Sequence, residues 1–384
     1  MKILISTDQY EYQVSGVTSS VVLLRDELRR LGHEVRILAL SPTYRSFEKD
    51  GDFFISSFHV PVYPDARMSL RRKGPLINKI IAWKPDIVHV QTEFSTRKLA
   101  TRVIRELGIP FVVTCHTVYE DYIGYFCPSK RIGKYIIRRL SNRYYNPANA
   151  LVVPSDKLRK TEQGYKVSCP ITVIPTGIEL DRFSRRISHE EKEQLLAKYG
   201  LTPGKTLVSV CRLAAEKNLD EIVSYMPALL RADPEVMLLI VGDGPHRSEL
   251  EKHVREAGVE KNVVFAGMID RYDVYKYYQT GDIFVCASTS ESQGLTYVEA
   301  LSSGLPLVCR RDDCLVGVLD NGKNGYQYET ETEFVRGVMH ILDDRELAHN
   351  MQLHSLENAE GFGAETFGRR MEQLYLDVLS GEIY

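Results

Sequence analysis

Residues 288–306 read STSESQGLTYVEALSSGLP. Two carboxylates, Glu291 and Glu299, stand eight positions apart around Gln293, Gly294 and Leu295. The apolar run DIFVCAS (282–288) leads in, and LPLVC (305–309) follows. Short continuous apolar runs suit buried parallel strands. TYVEALSSG between them suits a helix that starts near Thr296 and stops at a glycine. In open α/β sheets, ligands bind beyond the carboxyl ends of strands, where the loop SESQGL falls. Glu291 then lies in the loop on the ligand side, and Glu299 one turn into the helix. The free N–H groups of a helix start suit a phosphate, and Gly294 lets it approach the backbone. A carboxylate does not bind phosphate, but it accepts hydrogen bonds from sugar hydroxyls. A phosphate flanked by two hydroxyl-bearing groups is the outline of a nucleotide-sugar. An ordinary acidic helix start would look the same in isolation.

Outward from this stretch, strand and helix alternate along the chain. KILIS (2–6) is a strand, and Val17, Val21, Leu24, Leu28 and Leu31 then share one helical face. HEVRILAL, DIVHV (86–90), FVVTC (111–115), ALVVPS (150–155) and TVIPTG (172–177) continue as strands. The pattern restarts with TLVSV (206–210), a helix LDEIVSYMPALLRA, and VMLLIVGDG with its Gly-rich exit. The expectation is an α/β protein of two doubly wound, mostly parallel Rossmann-like domains. These run over 1–184 and 205–362, with a charged linker at 185–204 and a terminal helix at 363–384 packing back towards the first.

Composition is ordinary for a globular chain of 384 residues, 43% hydrophobic and 26% charged. No apolar run reaches the ~20 residues of a membrane-spanning helix. MKILISTDQY reads as a strand, not a signal peptide. Seven scattered cysteines without a CxxC pair suit buried thiols in a reducing compartment. The net charge of −2 hides a division. Residues 1–186 hold 30 Lys and Arg against 18 Asp and Glu, a net of +12, and residues 187–384 carry −14. The first half is therefore expected to meet an anionic partner.

Three further constellations carry chemistry. In 209-SVCRLAAEKNLDEI-222, Arg212 leaves a strand end and Lys217 follows five positions later. Two cations there suit a diphosphate, the Arg as a fork and the Lys as a point charge. In 13-QVSGVTSS-20, Gly16 opens a helix and offers N–H groups, without the GxGxxG fingerprint. In 112-VVTCHTVYEDYIGYF-126, His116 stands at a strand tip, and Tyr119, Tyr122 and Tyr125 either line an acceptor cleft or belong to the core.

With these residues in hand, the chain resembles the retaining glycosyltransferases of family 4, which have two facing Rossmann-like domains (the GT-B fold). Glu291 to Glu299 is similar to the family's E-x7-E motif, and 212-RLAAEKN-218 to its R-x4-K clamp. Gly16, 32-GHEV-35, 86-DIVHV-90, 175-PTGIELDRF-183 and 241-VGDGP-245 fall in family order over nearly the whole chain. The stretches 116-HTVYEDY-122, 291-ESQGLTYVEAL-301 and 311-RDDCLVGVLDNGKNGYQY-328 look like the bacterial enzymes that glucosylate diacylglycerol. Gln293 stands where most members carry Phe or Ser, a version common among the lipid glucosyltransferases but not confined to them.

The resemblance implies transfer of a hexose, glucose first, from a UDP-sugar to the hydroxyl of a membrane lipid, 1,2-diacylglycerol first. Another family acceptor remains open: a glycolipid, phosphatidylinositol or a polyprenyl-linked intermediate. It implies that Glu291 contacts the donor sugar and Glu299 the ribose. Arg212 and Lys217 hold the diphosphate, with help from Gly16 and the N–H groups of Gly294 and Leu295. Gln293 belongs to the same donor loop, and His116 sits by the sugar once the domains close. No cofactor and no metal is implied, because the two cations supply the positive charge. Asp312 and Asp313 are the nearest acidic pair, and no third ligand completes them.

The segment 127-CPSKRIGKYIIRRLSNRYY-145 holds Lys130, Arg131, Lys134, Arg138, Arg139 and Arg143 with no acidic residue among them. Ile132, Ile136, Leu140 and Tyr144 recur every four positions. A basic amphipathic helix of this kind suits an anionic membrane surface, or else packs its apolar face on the sheet. The expected location is cytoplasmic, peripheral on the inner face of the cell membrane. No aromatic–basic module for nucleic acid is visible. A non-enzymatic anion-binding module and an NAD enzyme are the other classes these folds allow, and the missing GxGxxG disfavours the second.

Overall fold

The apolar runs become strands in a computed structural model of the chain, which describes residues 1–12, 15–60, 63–71, 73–122 and 129–382. The side chains of residues 63–66, 121, 122 and 130 also lie outside the description. The chain divides into two units, residues 1–177 with 364–384, and residues 178–363.

In the first unit the strands are β1 (Lys2–Thr7), β2 (Glu34–Leu40), β3 (Phe47–Lys49), β4 (Asp52–Ile55), β5 (Phe58–Val60), β6 (Tyr63–Met68), β7 (Ile87–Val90), β8 (Phe111–Thr114), β9 (Ala150–Val153) and β10 (Ile171–Val173). One sheet runs β10-β9-β8-β7-β1-β2-β4-β3, and β5 pairs with β6 apart from it. The sheet is parallel except for β3, which runs against β4. Side-chain alternation along β1 sends Ile3 and Ile5 to one face and Leu4 to the other. Ile3 and Ile5 pack with Val21, Leu24 and Leu28 of the helix Gly16–Arg30, and with Phe367, Met371 and Tyr375 of the terminal helix Ala364–Ser380. Leu4 packs with Ile77, Ile80, Leu99 and Val103 on the opposite face.

The second unit holds β11 (Thr206–Val210), β12 (Met237–Val241), β13 (Val263–Gly267), β14 (Ile283–Cys286), β15 (Leu307–Arg310) and β16 (Gly325–Tyr328). All are parallel, in the order β13-β12-β11-β14-β15-β16. Strand order reverses between β11 and β14, and in the first unit between β1 and β7. At such a reversal, successive crossovers leave to opposite sides and open a crevice at the carboxyl ends.

Residues 185–204, read as a linker, instead hold the helix His189–Tyr199. Ser188 and Glu191 cap each other reciprocally at its start. Leu196 and Leu201 are buried in the second core together with Phe183. Gln279 Nε2 donates to the carbonyls of Phe183 (3.2 Å) and Arg185 (2.6 Å). Burying Phe183 is worth about 1.5–3 kcal/mol, so the division falls before it, at Gly177, and not at 184.

Candidate active site

Two loops leave the strands that flank the second unit's reversal. The loop after β11 carries Arg212 and Lys217, and the loop after β14 carries Glu291. Lys217 Nζ donates to Glu291 Oε1 at 2.5 Å. Their side chains are 23% and 15% exposed. Burial acts to lower the Lys217 pKa, but the Glu291 carboxylate outweighs it and raises it to about 12, so the ammonium stays charged. The loops are laced together by Asn218 Nδ2 donating to the Ala287 carbonyl (3.5 Å) and Ser290 Oγ to the Glu216 carbonyl (3.3 Å). Asn218 also donates to Glu221 Oε2 at 3.0 Å, which accepts from Arg310 Nη1 at 2.7 Å. Sequence reasoning missed this brace. Its signal was Asn218 directly after Lys217 and Arg310 at a carboxyl strand end.

Arg212 is exposed, and its side chain makes no hydrogen bond or ion pair among the described residues. Its backbone is fixed by its neighbours. Cys211 N–H donates to the Val241 carbonyl and Leu213 N–H to the Asp243 carbonyl, both at 3.0 Å. Gly242 makes that approach possible, because at φ +130° a Cβ there would stand 1.9 Å from the Cys211 oxygen. The 241-VGDGP-245 run thus positions the arginine, and an open guanidinium remains for an anion.

Gly294 is the N-cap of the helix Leu295–Ser302, with φ +75° and no side-chain cap. The first N–H groups of that helix therefore lack a capping side chain. Gln293 beside it is buried. Glu299 accepts from the Tyr278 hydroxyl at 2.7 Å. Burial pushes its carboxyl above the usual range, against the pull of that hydrogen bond and of Arg182. The residues Arg212, Lys217, Glu291, Gln293, Gly294, Leu295 and Glu299 all come from loops or helix starts at carboxyl strand ends of this sheet.

Gly16 and His116 belong to the first unit. Gly16 is exposed and opens its helix, where Ser15 Oγ accepts from Thr18 N–H at 3.1 Å. His116 follows β8, and its Nε2–H donates to Gln91 Oε1 at 2.6 Å. An amide oxygen only accepts, so this contact puts the proton on Nε2. Burial lowers the ring's pKa to about 4, so the imidazole is neutral. The Tyr119 hydroxyl is committed to Glu93 at 2.6 Å, which also accepts from Tyr145 at 2.8 Å. The side chains of Tyr122 and Lys130, and Tyr125, lie outside the described residues.

The basic segment forms the helix Lys130–Tyr145. Three of the four stripe residues do not pack on the sheet: Ile132, Ile136 and Leu140 are 57, 46 and 42% exposed, as is Tyr135 at 59%, while Tyr144 is half-buried against the first unit's core. Gly133, Ser141 and Tyr145 face inward instead. Arg131, Arg138, Arg139 and Arg143 are exposed, while Lys134 pairs with Glu120 at 2.8 Å. Among the described residues, no helix is long and apolar enough to cross a membrane. Nor do three His, Cys, Asp or Glu side chains gather there as a metal site.

Two Rossmann-like sheets, with a lysine–carboxylate pair and an open arginine at the reversal of the second, define the GT-B class of sugar transferases. The profile described as Glycosyltransferase Family 4 matches residues 14–182, and that of Glycosyl transferases group 1 matches residues 191–355. An alpha-monoglucosyldiacylglycerol synthase of Streptococcus pneumoniae is 33% identical over 383 residues, covering 99% of this chain and 86% of that protein. The protein of the same name in Acholeplasma laidlawii is 32% identical over 394 residues, covering 99% and 98%. Among solved structures, a glycosyltransferase from Rickettsia africae superposes with a TM-score of 0.76 at 17% identity, covering 98% of both chains. Anabaena HepE in complex with UDP gives 0.73 at 16%, covering 98% of this chain and 100% of that one. The chain belongs to glycosyltransferase family 4.

Proposed function

We propose that the protein is a retaining transferase that moves glucose from UDP-glucose to the hydroxyl of 1,2-diacylglycerol at a membrane surface. The observation that carries this is the Lys217–Glu291 pair beside the open Arg212, at the carboxyl ends of the reversal strands. The two relatives that match over the whole chain are named for making monoglucosyldiacylglycerol, which supports the sugar and the acceptor.

In this reading the β-phosphate of UDP meets Lys217, Arg212 and the uncapped N–H groups of Gly294 and Leu295. Glu291 accepts from sugar hydroxyls and Glu299 from the ribose. His116 is assigned a sugar hydroxyl, and Gly16 its backbone N–H towards phosphate. The bond from the anomeric carbon to the β-phosphate oxygen breaks, and the two cations stabilise the departing charge. The lipid hydroxyl forms its bond to the same carbon on the same face, its proton passes to the β-phosphate oxygen, and UDP leaves. No step calls for a metal, so chelation with EDTA is expected to leave turnover unchanged.

The exposed stripe Ile132, Ile136 and Leu140, set among arginines, supports docking on an anionic lipid surface. We place the protein as peripheral on the inner face of the cell membrane. Incubation with UDP-glucose and diacylglycerol should yield a hexosyl-diacylglycerol with retained α-configuration, read by mass spectrometry and NMR. A product of inverted configuration would overturn the mechanism.

A further inference from the structure

A buried chain of hydrogen bonds leads from the terminal helix Ala364–Ser380 to His116. The Tyr375 hydroxyl lies 2.6 Å from His89 Nδ1, and Thr114 Oγ1 lies 2.7 Å from His89 Nε2. Gln91, just past the end of β7, holds its amide nitrogen 3.3 Å from Nδ1 and 3.2 Å from Nε2 of His89. Its amide oxygen is thereby turned to His116 Nε2, at 2.6 Å. Tyr375, His89, Gln91 and Thr114 are all buried, the first two completely. The groups hydrogen-bonded to the histidine pair thus come from β7 (His89), the residue just after it (Gln91), β8 (Thr114) and the terminal helix (Tyr375), and none carries a charge. Burial alone lowers the pKa of His116, and burial with the neighbouring His116 lowers that of His89 to about 3. Both rings are therefore neutral, and the chain is a set of neutral dipoles.

We propose that Gln91 is a positioning residue that locks His116 in its Nε2–H tautomer, with the amide itself oriented by His89 and Tyr375. The consequence is chemical. Nε2–H is spent on Gln91, so Nδ1, which has no partner among the described residues, is left as a bare acceptor. His116 then takes a hydrogen bond from a substrate hydroxyl and gives none. A flipped Gln91 amide would reverse this and present an N–H instead. The terminal helix, nearly 290 residues downstream of His89, thus helps to fix which nitrogen is free. The inference rests on the reading that His116 meets substrate, and its test separates the two.

The test uses the full chain labelled with 15N-histidine, with the His116 signal assigned by its loss in His116→Asn. The expected spectrum has a protonated Nε2 and a bare Nδ1, with no titration down to about pH 4. Gln91→Met should mix the tautomers and leave the titration low, since burial and not the amide depresses it. It should also lower kcat by ~10- to 100-fold with the KM for UDP-glucose little changed, as misplacement of a substrate-positioning group does. Tyr375→Phe removes one hydroxyl from an otherwise intact helix and should act in the same direction, more weakly. A wild-type His116 protonated on Nδ1, or a Gln91→Met protein with ring state and kcat unchanged, overturns the inference. If His116→Asn leaves transfer unaltered, the assignment of His116 to substrate fails, while the spectrum still judges the tautomer.

Discussion

Lys217 Nζ sits 2.5 Å from Glu291 Oε1, although 74 residues separate them in the chain. Each is the other's partner before any donor arrives. In the proposed donor site a diphosphate would compete for the ammonium while sugar hydroxyls would donate to the carboxylate, which would make the pair a template for the two halves of a nucleotide-sugar. Lys217→Met should lower kcat/KM by ~100- to 1,000-fold, the scale of losing one preorganised charge. It should also cost about 1–3 kcal/mol of stability, because Glu291 is left enclosed without its partner. The double variant Lys217→Met/Glu291→Gln should recover the Tm and not the activity. Recovery of neither, or of both, would show that the pair is not what links the two effects.

Gly294→Ala should be costly although it removes no charge and no side-chain hydrogen bond. The residue holds φ +75°, and an added Cβ would stand 2.3 Å from the Tyr297 ring. That ring is fully buried and cannot swing away. A left-handed non-glycine conformation alone costs about 1–3 kcal/mol. We expect a lower Tm by calorimetry and a weaker Kd for UDP by titration. An unaltered Kd would remove the helix start Leu295–Ser302 from the donor site.

Docking on lipid should fail by two separable routes. Ile132→Ser with Ile136→Ser removes insertion, and Arg138→Gln with Arg139→Gln removes attraction. Each lost cation near an anionic surface is worth about 1 kcal/mol, so the double arginine variant should bind phosphatidylglycerol vesicles roughly 30-fold more weakly. Added salt should narrow the gap between that variant and wild type, and should leave the gap for the isoleucine variant. Flotation assays read both. Full binding by both variants would move the contact surface elsewhere.

Glu162 should make the protein less stable as pH rises. Its carboxyl is almost wholly buried, and one oxygen has no hydrogen-bond partner among the described residues. Burial pushes its pKa up to about 8, and Glu93 and Glu120 push the same way, although a Ser141 hydrogen bond pulls down. The folded chain therefore holds a proton that the unfolded chain releases near its ordinary value of 4.5. Its stabilising contribution is complete below 4.5 and is lost as pH climbs to about 8. Glu162→Gln should flatten the fall of Tm across that window. A Tm curve parallel to wild type would refute the assignment.

The clustering of the residues assigned to the donor was legible because they lie close in sequence to the strands that carry them. Glu291, Gly294 and Glu299 fall within nine positions, and Arg212 and Lys217 within six. Local pattern was weaker at 185–204, where the helix His189–Tyr199 buries few residues and its charges resemble a linker. The capping pair Ser188 and Glu191 was the signal there. The stripe Ile132, Ile136 and Leu140 was readable as a helix face, but periodicity does not say whether a face meets protein or solvent. A terminal helix packing back towards the first domain was expected, but the particular chain from Tyr375 through His89 and Gln91 to His116 was not readable. It depends on which side chains of that helix and of β7 meet, and no local spacing encodes that contact.

The most direct measurement is transfer by the purified protein, with UDP-glucose and diacylglycerol in vesicles made with and without anionic phospholipid, the lipids being read by mass spectrometry. The expected result is a monohexosyl-diacylglycerol whose formation depends on the anionic lipid and is lost in Lys217→Met. UDP release without any glycosylated lipid, on either vesicle, would contradict diacylglycerol as the acceptor.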